Sequence, residues 1–243
     1  MPKKLIIANW KMHLGDKEGI LHAQSLIKKL ALVPVAKLPQ IILCPPYTVL
    51  REIKAILPPE VFLGAQNCSA FADGPYTGEI SAAMIKDSGA LYIILGHSER
   101  RHFFHETNVL VNQKAHQAEK VGLIPIICVG ETKEERENGR AHEVVEAQIL
   151  ESCAGLNHFI IAYEPIWAIG SGAIPCREVI ETMHVKIALA ITAHTASGKT
   201  PILYGGSVTA ENIADILSIS GVDGVLVGGA CLTLERFWPL VIG

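Results

Sequence analysis

The stretch PILYGGSVTAENIADILSISGVDGVLVGG, residues 201–229, holds one complete strand–helix–strand unit. Two short apolar runs, Pro201–Gly205 and Gly224–Gly228, have the near-continuous hydrophobicity that is typical of strands buried on both faces. Between them, Ile213 and Ile216 repeat at the spacing of one helix face. The stretch therefore predicts two parallel strands that are joined by a helix.

The connecting helix has recognisable start and stop signals. Thr209 can cap its N-terminus, and Gly221 can end it in the left-handed conformation that glycine adopts without strain. Gly122 stands at the same place before another apolar run. Further upstream, Thr132 and Glu135 form a capping-box pattern, which predicts another helix start. Strands and helices therefore alternate along the chain.

Apolar runs of this kind recur at intervals of roughly 20 to 40 residues, which suit a strand and a returning helix. Eight such units in 243 residues predict an α/β protein, a (β/α)8 TIM barrel of eight parallel strands surrounded by helices, in a single domain over residues 1–243. A doubly wound open sheet is the alternative, but its Gly-x-Gly-x-x-Gly fingerprint is missing after the first run. The runs are Leu5–Asn9, Gln40–Cys44, Val61–Ala65, Leu91–Leu95, Pro125–Val129, Phe159–Glu164, Pro201–Gly205 and Gly224–Gly228.

The composition limits the class of protein. Of the 243 residues, 49% are apolar and 19% are charged, and the net charge is −3. These values exclude intrinsic disorder and argue against a dedicated nucleic-acid binder. We expect no membrane span, since no apolar run reaches the ~20 residues that one needs. The N-terminus lacks the apolar segment of a signal peptide and the six cysteines form no Cys-x-x-Cys pair, so we expect reduced thiols and a cytoplasmic protein.

Polar side chains follow several runs at their carboxyl ends, where barrel enzymes build their active sites. Lys11 and His97 come after the first and fourth runs, and Glu164 is the last residue of the sixth. A carboxylate at this rim suits a general base, and an imidazole at a helix N-terminus suits a neutral hydrogen-bond donor. Taken one at a time, Lys11 also fits a solvated surface lysine, and Glu164 also fits a salt bridge at the rim.

Two glycine-rich turns follow the seventh and eighth runs. Gly205-Gly206-Ser207 and Gly228-Gly229 allow backbone N–H groups to approach an oxyanion without a clash with Cβ. One pair alone could simply turn the chain, but two pairs after adjacent strands indicate a phosphate site. We expect no metal site at His97, His102 and His105, because no supporting series of ligands accompanies them.

Segments spread in order over essentially the whole chain resemble the signature segments of the triosephosphate isomerase family. Together they are highly specific, although any one could arise by chance. The resemblance implies a TIM barrel, a homodimer, and the interconversion of dihydroxyacetone phosphate and D-glyceraldehyde 3-phosphate without a cofactor. The segments are Asn9–Lys11, Tyr76–Glu79, Gly96–Arg101, Ala162–Gly170, Tyr204–Val208 and Val227–Ala230.

The resemblance also implies roles for single residues. Glu164 would remove a carbon-bound proton and return it to the neighbouring carbon. His97 would polarise the carbonyl group and move protons between the oxygens of the enediolate. Lys11 would stabilise negative charge, Asn9 would orient the substrate, and Glu99 would be a polar partner within the catalytic cluster.

Three further assignments rest on the same resemblance. The phosphate group would be bound by Gly170, Ser207, Gly228 and Gly229, together with Asn9 and Lys11. Thr77 would contact the partner subunit in a dimer. A lid would close over the site, and its residues would be Pro165, Ile166, Trp167, Ala168, Ile169, Gly170, Ser171 and Gly172.

The chain departs from the family pattern at three positions. Ser171 stands where Thr is common, Ala173 where Lys is common, and Cys231 where Ser is frequent. The change at Ala173 puts the opening rate of the lid in doubt. Two other functions stay open from the residues alone: another phosphate-binding barrel enzyme, such as a lyase or synthase, and a non-enzymatic scaffold that uses the barrel as a platform.

Overall fold

A computed structural model describes residues 3–169, 174–194 and 200–243 of the chain. Its strands form one closed parallel barrel in the order β1 to β8, so the TIM-barrel prediction is confirmed. Each predicted run agrees with a strand to within one residue at either end. The strands are β1 (Leu5–Asn9), β2 (Gln40–Cys44), β3 (Val61–Ala65), β4 (Tyr92–Leu95), β5 (Ile124–Val129), β6 (Ile160–Tyr163), β7 (Ile202–Tyr204) and β8 (Gly224–Val227).

Helices surround the barrel and connect consecutive strands, as parallel strands require. No helix in the described part of the chain is long and apolar enough to cross a membrane. The α-helices of the described residues are α1 (Lys17–Leu30), α2 (Leu50–Ile56), α3 (Ala82–Asp87), α4 (Ser98–Phe103), α5 (Asn108–Lys120), α6 (Lys133–Glu137), α7 (Ala141–Ser152), α8 (Arg177–His194), α9 (Ile213–Ser218) and α10 (Leu234–Ile242).

Side chains alternate between the barrel interior and the helix layer, because successive residues of a strand point to opposite faces. In β1, for example, Leu5 and Ile7 belong to the interior cluster, whereas Ile6 and Ala8 belong to the larger core beneath the helices. Both faces of the sheet are therefore apolar, which explains why the runs lack a polar alternation. The interior cluster of buried residues is Leu5, Ile7, Ile42, Cys44, Tyr92, Ile94, Ile126, Cys128, Ile160, Ala162, Leu203 and Leu226.

The same alternation decides which polar residues reach the top of the interior. Asn9 follows the inward residues of β1 at a spacing of two, and Glu164 follows Ile160 and Ala162 of β6 in the same way. Both side chains are buried. The register of two buried strands thus places an amide and a carboxylate at the upper end of the apolar interior.

The helix signals are confirmed in part. Gly122 and Gly221 have φ values of 75° and 81°, and Thr132 with Glu135 forms the complete capping box at the start of α6. The prediction that Thr209 caps the following helix is wrong. Helix α9 begins at Ile213 with Asn212 as its N-cap residue, because Asn212 Oδ1 accepts a hydrogen bond from the Thr209 N–H and holds the preceding residues in a turn.

Burial of His184 on α8 makes the stability of the barrel depend on pH. Its Nδ1 lies 3.0 Å from the carbonyl oxygen of Gly221, and burial lowers the pKa of His184 from 6.5 to about 4. As the pH is lowered, the unfolded chain therefore binds a proton at His184 before the folded chain does. The neutral imidazole makes its full contribution to stability above pH 6.5, and this contribution is lost as the pH falls towards 4. We expect the free energy of unfolding to fall by about 1.4 kcal/mol per pH unit in this window, as measured by urea denaturation.

The slope of the free energy of unfolding against pH tests whether His184 is the source of this pH dependence. His184→Asn should flatten the slope between those two pKa values, whatever its effect on absolute stability. The matched variant His142→Asn, at an exposed position on α7, should leave the slope as in the parent. An unchanged slope in His184→Asn would contradict the assignment.

Candidate active site

A cavity of about 580 Å³ opens at the carboxyl ends of the strands. The sequence analysis predicted the catalytic residues at this rim. Residues that follow five different strands line the cavity there. The predicted site residues among those that line the cavity are Asn9, Lys11, His97, Glu99, Glu164, the lid residue Ile169, Ser207, Gly228 and Gly229.

Glu164 lies at the centre of this group and is only 2% exposed. Its Oε1 is 3.0 Å from His97 Nε2, and its Oε2 accepts a 2.8 Å hydrogen bond from the Ser98 N–H. Ser98 is the first residue of α4, so this bond uses one of the free N–H groups at a helix start. Both carboxylate oxygens are therefore held, although the side chain lies almost out of contact with water.

His97 is the N-cap residue of α4, as the sequence predicted. Its Nδ1 accepts a hydrogen bond of 3.2 Å from the Glu99 N–H, so this nitrogen has no proton. The ring proton then lies on Nε2 and points to Glu164 Oε1. The contacts therefore indicate a neutral imidazole, and its Nε2–H is a hydrogen-bond donor towards the cavity.

Lys11 is held in an unusual backbone conformation, with a φ of 53°. Its N–H donates to Asn9 Oδ1 at 3.0 Å, and its carbonyl oxygen accepts a 2.8 Å hydrogen bond from Gln66 Nε2. Its ammonium group lies 2.5 Å from Glu99 Oε1. A non-glycine residue in this region is strained, so these contacts fix the position of the cation at a cost in backbone energy.

The first glycine pair has a steric role that the sequence did not indicate. A Cβ at Gly205 would lie 2.9 Å from Glu164 Cγ, and one at Gly206 would lie 2.2 Å from the Tyr204 hydroxyl oxygen. A Cβ at Gly229, in contrast, would meet nothing within 4 Å. The glycines after β7 therefore make room for side chains of the protein, while Gly229 faces open space that a ligand can enter.

Glu131, at the carboxyl end of β5, anchors the first part of the predicted lid. Its Oε1 accepts hydrogen bonds from Trp167 Nε1 at 2.8 Å, Arg136 Nε at 2.9 Å and the Tyr163 hydroxyl at 3.2 Å. Ile166–Ala168 forms a short 3-10 helix, and the Ala168 carbonyl oxygen accepts from Ser207 Oγ at 2.8 Å. The lid positions Gly170, Ser171 and Gly172, like Ala173 beside them, lie outside the described residues.

A sequence model described as "Triosephosphate isomerase" matches residues 4–242. The chain belongs to the triosephosphate isomerase family. It is 42% identical to the triosephosphate isomerase of Herpetosiphon aurantiacus over 99% of both chains. It is 46% identical to that of Dehalococcoides mccartyi over 98% of this chain and 94% of the relative. The crystal structure of triosephosphate isomerase from Bartonella henselae is similar with a TM-score of 0.87, at 34% identity over 98% of this chain and 97% of that one.

The sequence analysis missed several residues of the site, among them Gln66 and Glu131. Gln66 directly follows β3 and donates to the carbonyl oxygens of Lys11 and Cys44. Gln66 and Glu131 both follow apolar strands closely. Polar residues at that position were the signal that identified Lys11 and Glu164, and a complete reading of all eight strand ends would have included these two.

Gln66 positions Lys11, and its removal should affect activity without removing a charge. Gln66→Met keeps the length of the side chain but loses both hydrogen bonds, so the strained backbone of Lys11 can relax away from the cavity. We expect kcat/KM for glyceraldehyde 3-phosphate to fall at least tenfold, since each buried hydrogen bond contributes about 1 kcal/mol. Gln113→Met, at an exposed position on α5, is the control. Equal kinetics in both variants would show that Gln66 does not position Lys11.

Proposed function

We propose that this chain interconverts dihydroxyacetone phosphate and D-glyceraldehyde 3-phosphate through an enediolate, without a cofactor, and that Glu164 is the base. The observation that carries the proposal is the 3.0 Å contact between Glu164 Oε1 and His97 Nε2 inside the cavity. It brings a carboxylate and a neutral hydrogen-bond donor to one point. Aldose–ketose isomerisation needs both, because a proton leaves carbon while charge develops on oxygen.

Glu164 takes the proton from one substrate carbon and returns it to the neighbouring carbon. Its hydrogen bonds to the Ser98 N–H and to His97 hold the carboxylate in place. For the carboxylate to accept a proton from carbon, one of these bonds has to give way to the substrate.

His97 and Lys11 act on the oxygen atoms of the substrate. The Nε2–H of His97 donates to the carbonyl oxygen and then exchanges a proton between the two oxygens of the enediolate. Lys11 supplies a fixed positive charge, while Glu99 holds its ammonium group and Asn9 holds its backbone. These groups are in place before the substrate arrives, so little reorganisation is needed as charge develops.

The phosphate group binds at the glycine turns after β7 and β8. Gly228 and Gly229 offer backbone N–H groups, and the open space beside Gly229 leaves room for the phosphate oxygens. Ser207 lines the same cavity. The assignment of Gly170 to the phosphate site rests on the family resemblance alone. Closure of the lid, residues 165–172, excludes water from an enediolate that would otherwise lose its phosphate.

Replacement of the base separates chemistry from binding. Glu164→Gln keeps the shape of the side chain but cannot accept the carbon-bound proton, so we expect kcat to fall at least a thousandfold. The Kd for 2-phosphoglycolate, an analogue of the enediolate, should change less than tenfold in a calorimetric titration. Equal losses of activity and binding would assign Glu164 a structural role, and absence of turnover in the folded parent would overturn the proposed reaction.

The molecule is a homodimer in which the loop between β3 and α3 docks on the partner. Phe71 and Tyr76 of this loop are exposed, and their rings stack with centroids 4.0 Å apart. Phe103 and Phe104 at the end of α4 are also exposed. Four exposed aromatic side chains are typical of a protein interface, and they support the placement of Thr77 against the partner's active site.

A charge in this loop should break the dimer. Phe71 is 50% exposed, and Phe71→Asp would place an unpaired carboxylate in the interface. Because burial of such a charge is unfavourable, sedimentation of the variant should give the mass of a monomer, and kcat should fall. Leu189→Asp is the matched control, since Leu189 on α8 is 60% exposed and lies outside the proposed interface. A parent that sediments as a monomer would contradict the dimer, as would a dimeric Phe71→Asp variant.

We also propose that residues 1–243 form a single domain and that the protein is cytoplasmic. The six cysteines support this location because all of them are free thiols, five of them buried. A reducing compartment keeps such thiols unpaired.

A further inference from the structure

Among the described residues that line the active-site cavity, the two histidines His13 and His97 apart, the charged side chains are two carboxylates and two permanent cations. The carboxylates are Glu99 and Glu164, and the cations are Lys11 and Arg236. The ring of His97 adds no charge, because its hydrogen bonds describe a neutral imidazole. A phosphorylated substrate therefore enters a cavity whose own carboxylates repel it, and the placement of the two cations decides how strongly it is attracted.

The charge of Lys11 is largely compensated within the protein. Its ammonium group lies 2.5 Å from Glu99 Oε1, so the pair presents a dipole rather than a net charge to an approaching ligand. The carboxylate of Glu164 remains, and its hydrogen-bond partners, His97 and the Ser98 N–H, are both neutral. Without a further cation, the lining of the cavity would be net negative.

Arg236 supplies that cation at the phosphate end. It is the third residue of α10, which follows β8 after Gly228, Gly229 and a short 3-10 helix. The side chain is exposed, and within the described part of the chain the structure records no ion pair between Arg236 and a carboxylate. The neighbouring carboxylate of Glu235 is not among the residues that line the cavity.

We propose that Arg236 draws the phosphate group of the substrate to the glycine turns after β8. This inference rests on the proposed function for the identity of the substrate and adds a recruiting residue to its phosphate site. The guanidinium group is permanently charged and hydrogen-bonds readily to phosphate oxygens. Its exposure places it at the cavity mouth, where it acts on the ligand before the backbone N–H groups of Gly228 and Gly229 make contact.

The recruiting role predicts a change in substrate binding that depends on salt. In Arg236→Gln the lining becomes net negative, so KM for glyceraldehyde 3-phosphate and the Kd for 2-phosphoglycolate should rise roughly threefold to tenfold at about 20 mM ionic strength. At about 300 mM, where charges are screened, the difference from the parent should fall below about twofold. The kcat value should stay within about twofold at both ionic strengths, because Arg236 lies away from the reacting carbons.

Two further variants separate this role from a structural one. Arg236→Lys keeps the charge and should retain most of the parent's affinity at low salt. Arg51→Gln, at an exposed position on α2 outside the cavity lining, changes the net charge by the same amount and should leave KM nearly unchanged. Parallel behaviour of Arg236→Gln and Arg51→Gln would overturn the proposal, and so would a loss that salt does not reduce or a tenfold fall in kcat.

Failure of the proposed reaction can be told apart from failure of this inference. Absence of turnover in the parent would contradict the isomerase activity alone. The Kd for inorganic phosphate, measured by calorimetry for the parent, Arg236→Gln and Arg51→Gln, then tests Arg236 directly. Weaker phosphate binding in Arg236→Gln only would support the recruiting role, and equal binding in all three would overturn it.

Discussion

Because β1 pairs with both β2 and β8, the sheet has no edge and all eight strands end at a common rim. This closure forces residues that are far apart in the sequence into one small volume. Lys11 and Glu99 are separated by 88 positions, and Ser98 and Glu164 by 66, yet both pairs are in direct contact. A short polar segment after each apolar strand is therefore sufficient to build the active site, because closure of the barrel brings these segments together.

The closed sheet also explains how a carboxylate can be buried at the active site of a mainly apolar protein. The interior below the rim holds aliphatic side chains, thiols and the ring of Tyr92, and the uppermost include Cys44 and Cys128. Burial, with Glu164 nearby, raises the pKa of the Cys128 thiol well above its usual value, so the group beside the base stays neutral. Glu164 thus stands at the border between a dry interior and an open cavity, where a carboxylate is poorly solvated but still accessible to substrate.

The sequence was most informative where burial is two-sided. Strand positions agreed to within one residue because a strand packed on both faces is almost continuously apolar. Glu164 was predicted from its place at the end of a strand, and Asn9 from the family resemblance. Contacts between distant segments were harder to foresee. The hydrogen bond from Gln66 to the carbonyl oxygen of Lys11, and that from Trp167 to Glu131, join residues 55 and 36 positions apart. The start of α9 was misplaced because Asn212 bonds to Thr209 in a turn, a local alternative to the helix cap.

The glycines around Glu164 have a consequence for how this site can evolve. A Cβ at Gly130 would lie 1.8 Å from the carbonyl oxygen of Glu164, and one at Gly205 would lie 2.9 Å from its Cγ. These distances leave no space for a side chain at either position while Glu164 keeps its place. The clash at Gly130 is with a backbone atom that any residue at position 164 would carry, whereas the clash at Gly205 is with the Glu164 side chain. Mutations at positions 164 and 205 are therefore epistatic, since the effect of each depends on the residue present at the other. A lineage that changes by single substitutions meets a clash at its first step, so the surroundings of the base are expected to drift far more slowly than the helices that enclose the barrel.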